Sequence, residues 1–130
     1  MTESELKSRT KDFALRVPKL IDSLPGTRSG RILANQLGRS GTSVGANYRA
    51  ACRSRSGAEV ISKLSIVEEE ADESAFWLEL TGDHGLMPSI KIAPLRQEAS
   101  ELTAIMVASR RTPAKRSQQS KIENSKSKIR

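Results

Sequence analysis

The chain has 130 residues, 36% hydrophobic and only 3% aromatic, with 22 Lys and Arg against 15 Asp and Glu for a net charge of +7. That length allows one compact domain with a core built from Leu, Ile, Val and Ala, and five prolines and eight glycines are too few for a turn-rich β-sandwich. No apolar run approaches the ~20 residues of a membrane span, the amino end MTESELKSRTKD is polar, and a lone cysteine, Cys52, excludes an internal disulfide framework, so a cytoplasmic protein that meets no membrane is expected.

A first helix is predicted over roughly residues 4–24, where Leu6, Phe13, Val17, Leu20 and Leu24 form a narrow apolar seam. Thr2 with Glu5 makes a capping box and Pro25-Gly26 stops the helix, while the interior Pro18 predicts a kink near Ala14–Pro18. A second helix starts after the candidate N-cap Thr27 and runs to about Ala51, with Leu33, Leu37, Val44, Tyr48 and Ala51 as its seam. Gly38, Gly41 and Gly45 interrupt it, and they imply either a bend or the close approach of a neighbouring helix.

The third helix carries the clearest pattern. Ser56 and Glu59 form a capping box, then Val60, Leu64, Val67, Ala71, Ser74 and Leu78 recur at heptad spacing until Gly82 and Gly85. A fourth helix, from Ile92 or Pro94 to about Arg110, repeats the seam with Leu95, Ala99, Leu102, Met106 and Ser109 and closes at Pro113. The expected fold is all-α, an antiparallel up-down-up-down four-helix bundle over residues 1–111. Residues 112–130 hold six basic residues and one acid with few apolar ones, and are expected to be a disordered basic tail.

Charge is unevenly spread. Residues 28–63 hold seven basic side chains and one acid, whereas residues 64–109 hold two basic and nine acidic. The acids at Glu69, Glu70 and Glu73 raise the question of a carboxylate metal site, but such bundle sites need inward Glu-x-x-His pairs, and the one histidine, His84, stands at a helix end. A solvated or intersubunit charged face is the expectation, with no metal and no cofactor. Cys52 and His84 lie on different segments and do not form a nucleophile pair; Arg53 beside Cys52 would lower the thiol pKa, against which stands a packed, inert thiol. The run Arg39 to Gly45 lacks the lysine and strand of a phosphate loop. No enzyme is expected.

The basic set is more informative. Arg49 and Arg53 are one turn apart, Arg55 follows, and Lys63 lies on the next helix, a cluster suited to phosphate contacts. Arg39 belongs to the same stretch, and Lys115 and Arg116 in the tail add non-specific attraction to polyanions. The opposing reading is that arginines of the second helix pair with acids of the third, within or between subunits.

Several long runs stand in a fixed order: Ala34-Asn35-Gln36-Leu37, Arg39 to Val44, Ala46-Asn47-Tyr48-Arg49, Ile61 to Leu64, Glu69 to Ser74 and Trp77-Leu78-Glu79-Leu80, with Phe13-Ala14 and Glu101-Leu102 in the outer helices. Over about residues 8–112 the chain resembles the bacterial four-helix-bundle family of 23S ribosomal-RNA intervening-sequence proteins. The resemblance implies a ring-like homopentamer in the cytoplasm. It also implies kinship to the accessory variability determinant of diversity-generating retroelements, which binds nucleic acid and a reverse transcriptase through a basic surface. Asn47, Tyr48 and Arg49 match one family motif, and Glu70, Glu73, Trp77 and Glu79 match the third-helix motif, so Asn47, Tyr48, Glu70, Glu73, Trp77 and Glu79 are assigned to assembly or structure. Ala50 stands where a Glu commonly follows Asn-Tyr-Arg, and Pro18 where an apolar helix former is usual.

Two functions follow as expectations. The first is a non-catalytic oligomer that binds RNA or DNA through Arg39, Arg49, Arg53, Arg55 and Lys63, with a reverse transcriptase or ribosomal component as a further partner. The second is a scaffold or adaptor that self-assembles through charged helix faces and binds a protein.

Overall fold

The computed structural model describes the backbone of residues 1–129 and the side chains of residues 1–111. Four helices make up the fold: α1 (Glu3–Ile21), α2 (Arg28–Cys52), α3 (Gly57–Asp83) and α4 (Ser89–Ile129), with no strand among the described residues.

Their starts follow from local chemistry. Thr2 Oγ1 accepts from the Glu5 amide at 3.1 Å while the Glu5 carboxylate accepts from the Thr2 amide, so two orphan N–H groups at the start of α1 are satisfied. Thr27 caps α2 by accepting from the Gly30 amide, and Ser56 caps α3 by accepting from the Glu59 amide. Gly85, at φ +79°, takes the left-handed conformation that turns the chain after α3.

Pro18 lies within α1, exposed in its last turns, and the helix continues past it to Ile21. The stop expected at Pro113 and the disordered basic tail expected over residues 112–130, Lys115 and Arg116 included, lie outside the residues whose side chains are described.

The seams meet in one core. Phe13 and Val17 of α1, Leu37 and Val44 of α2, Val67 and Leu78 of α3, and Leu102 and Met106 of α4 are fully buried. Each such side chain contributes roughly 1.5–3 kcal/mol through apolar burial. Neighbouring helices in sequence pack extensively, and α1 touches α4 more sparsely.

The glycines of α2 settle the alternative left open above. A Cβ at Gly41 would lie 2.6 Å from Val17 Cγ2, and one at Gly45 would lie 3.1 Å from the Thr10 carbonyl oxygen and 3.3 Å from Ala14 Cβ. They let α1 and α2 approach closely along an uninterrupted helix. Between α2 and α3, the buried Ser40 and Ser74 hydroxyls are 2.9 Å apart, and Ser74 also reaches the Glu70 carbonyl at 2.8 Å. A one-turn slip would leave these hydroxyls without each other in an apolar core, so the pair fixes register.

Candidate nucleic-acid interface

The expected site residues fall into two groups, Arg39 reaching toward α3 and Arg49 with Arg53 bordering α1. On the side toward α3, Arg39 Nη1 lies 3.3 Å from Glu70 Oε2, and its Nη2 donates to Glu73. Glu73 also accepts from the Trp77 indole N–H at 3.2 Å. The Arg39 hydrogen bond holds the Glu73 carboxyl below its ordinary range, and that same bond raises the Arg39 guanidinium. Arg39 thus pairs with two carboxylates of its own chain, the opposing reading of the second-helix arginines, and it does not line the groove that Arg49 and Arg53 share. The same contacts join three of the residues assigned to assembly or structure, Glu70, Glu73 and Trp77, in one network.

The remaining members of that set lie elsewhere. Glu79 pairs with Arg96 of α4 at 3.5 Å. The Asn47 amide donates to the Ser43 carbonyl and hydroxyl within α2. Tyr48 is buried, and burial pushes its phenol well up from the usual range.

Toward α1, Arg49 and Arg53 line a groove of about 550 Å³ between α1 and α2. Lys7 and Lys11 of α1 stand on its opposite wall, and Thr10, Ala14, Gly45 and Ala46 complete the lining. The floor is open because Gly45 has no side chain and Ala14 and Ala46 have one methyl each. Among the described residues no acidic side chain lines it. Arg49, Arg53 and Lys11 are exposed and form no ion pair among the described residues, and Lys7 makes a single exposed pair with Glu3 at 3.7 Å.

Arg55, in the turn before α3, and Lys63, half-buried on α3, do not line this groove. The structure thus brings Arg49 and Arg53 together with two lysines absent from the expected set. Lys7 and Lys11 are four apart on the polar face of α1, the same spacing as Arg49 and Arg53. That signal was present in the sequence, but only the packing of α1 on α2 pairs the two rows.

The alternative chemistries have little geometry behind them. Glu69 is exposed, Glu70 and Glu73 are taken up by Arg39, and among the described residues no cluster of His, Cys, Asp or Glu is arranged to hold a metal ion. Cys52 is half-buried. Burial, followed by its contact with Glu3, raises its thiol pKa, which favours the packed thiol over a lowering by the adjacent Arg53. No described helix is long and apolar enough to cross a membrane.

Comparison with known proteins places this arrangement. A crystal structure from Bacteroides thetaiotaomicron, described as a protein with unknown function from the S23 ribosomal protein family, is 30% identical and superimposes with a TM-score of 0.76, covering 81% of this chain and 97% of that one. No curated protein matches the chain. The profile of the 23S rRNA-intervening sequence proteins matches residues 2–108, nearly the whole four-helix body, with both the Asn-Tyr-Arg run of α2 and the Glu-rich run of α3 inside it. The chain belongs to the 23S rRNA-intervening sequence protein family.

Proposed function

We propose that the protein is a non-catalytic nucleic-acid-binding protein that works in the cytoplasm as a ring-like homo-oligomer, a pentamer, accessory to RNA or reverse-transcriptase machinery or to a ribosomal component. The observation that carries this reading is the pair Arg49 and Arg53, exposed and without ion-pair partners among the described residues on a surface lined by no acid. Arg55 and Lys63 extend the positive charge toward α3, and such charges engage phosphates without reading sequence. The family description, which names ribosomal RNA, supports the same direction.

The pairings Gly41 with Val17, Ser40 with Ser74, Glu68 with Arg110 and Glu79 with Arg96 support an antiparallel up-down-up-down course. That course displays α2 and α3 side by side. A scaffold reading draws on the exposed Glu69 and Asp72 and on Phe76, which is 50% exposed on α3, as a surface for a protein partner.

The test is binding of structured RNA and duplex DNA to the full chain between about 50 and 200 mM salt. Affinity falls steeply with salt, and Arg49→Gln with Arg53→Gln weakens it. A flat salt response, or binding lost only when Lys115 and Arg116 are neutralised, overturns the reading in favour of a scaffold with an adhesive tail.

A further inference from the structure

We infer that the groove between α1 and α2 seats the sugar–phosphate backbone of a single nucleic-acid strand, gripped by Lys7 and Lys11 from one wall and by Arg49 and Arg53 from the other. This rests on the nucleic-acid reading above and names the site and the form of its ligand.

Each wall carries two cations four residues apart, a rise of about 6 Å along the helix, which is the scale of neighbouring phosphates on one strand. Two such rows facing each other across a groove offer both a Lys and an Arg to successive phosphates. The groove is a furrow of about 550 Å³ between two adjacent helices, the scale of one strand's backbone. A duplex carries two backbones on a rod wider than the spacing of adjacent helices, about 8–10 Å, and meets only the rims.

The lining decides what is recognised. Among the described residues it contains no aromatic side chain to give bases a stacking platform. The one hydroxyl in it, that of Thr10, donates to the Leu6 carbonyl at 2.8 Å and is unavailable for reading base edges. Ala14, Gly45 and Ala46 offer only a smooth neutral floor. Glu3 meets Lys7 in an exposed contact at 3.7 Å, the kind of surface pair that contributes little and yields readily to a phosphate. The groove therefore holds a backbone and ignores sequence.

The experiment is a salt titration of the full chain with labelled oligo-U, oligo-A and an RNA duplex of equal length. The two homopolymers are expected to bind alike and more tightly than the duplex. Lys7→Gln and Lys11→Gln are expected to weaken single-strand binding as Arg49→Gln and Arg53→Gln do, each reducing the log–log salt slope by about 0.7. Lys91→Gln, on an exposed cation outside the groove, leaves affinity unchanged. Ala46→Glu, which places an acid on the exposed floor without touching the core, is expected to abolish groove binding.

If RNA binds but the Lys7 and Lys11 variants bind like wild type, the groove is overturned while the nucleic-acid reading stands. If the duplex is preferred, the single-strand assignment is overturned. If no nucleic acid binds at any salt, both fall. If the groove variants change the oligomer and leave RNA affinity intact, the occupant is an acidic face of another protein copy, and the inference is overturned.

Discussion

The Arg9 guanidinium donates to both carboxylate oxygens of Glu98, from Nε at 2.8 Å and from Nη2 at 2.6 Å, and so ties α1 to α4 across the sparsest helix pair of the bundle. This forked pair is partly sheltered, and its hydrogen bond to Glu98 raises the Arg9 pKa. Arg9→Ala and Glu98→Ala are each expected to lower stability. A double-mutant cycle by urea unfolding is expected to return a coupling of about 1–2 kcal/mol, and additive losses would show that the pair is only decorative.

Gly41→Ala is expected to destabilise by about 1–3 kcal/mol, although alanine is the better helix former by up to about 1 kcal/mol. The new methyl meets the fully buried, β-branched Val17, which has no room to rotate away. Gly57→Ala is the contrasting case, since nothing lies within 4 Å of its added Cβ. It is expected to stabilise by roughly 0.4–1 kcal/mol by stiffening the unfolded chain. Thermal unfolding of both variants checks the difference in sign.

The pH dependence follows from Glu73. Its folded carboxyl is held below the ordinary value of 4.5, chiefly by its hydrogen bond with Arg39. The contribution to stability is therefore complete above about pH 4.5 and is lost as pH falls through the lowered folded value. Glu73→Gln is expected to lower stability at neutral pH and to flatten the acid limb. The Trp77 indole, bonded to that carboxylate, gives a fluorescence signal for following it. An unchanged acid limb in the variant would show that the pair carries no net coupling.

Cys52 is expected to alkylate slowly with iodoacetamide at pH 8, because the thiolate is the nucleophile and burial together with Glu3 disfavours it. Glu3→Gln is expected to speed the reaction at unchanged fold. Reaction at the rate of a free thiol would place Cys52 in a more open setting than its half-buried position between Tyr48 and the start of α1.

Local signals made most of the fold legible before any coordinates. Thr2, Thr27 and Ser56 cap the helices they were expected to cap, and Leu37, Val44, Val67 and Leu102 of the expected seams are buried. These rest on chemistry within a turn or two of chain. What was not legible depended on register between helices. Whether Arg39 meets phosphate or carboxylate is decided by which turn of α3 lies opposite it, and Ser40 with Ser74 sets that without leaving a distinctive sequence mark. Lys7 and Lys11 read as ordinary solvent-facing lysines until α1 is laid against α2.

Gly45 has a double role. Its missing side chain lets α1 sit against α2, and the same missing side chain is part of the floor between the two rows of cations. Any larger residue there pushes on the Thr10 carbonyl and fills the furrow in one step. Tight packing and an open binding channel are ordinarily competing demands on a helix pair, but here a single atom's absence meets both. The depth of the channel at Gly45 is thus inherited with the fold, which leaves the charged walls and the exposed Ala46 as the places where a lineage tunes it.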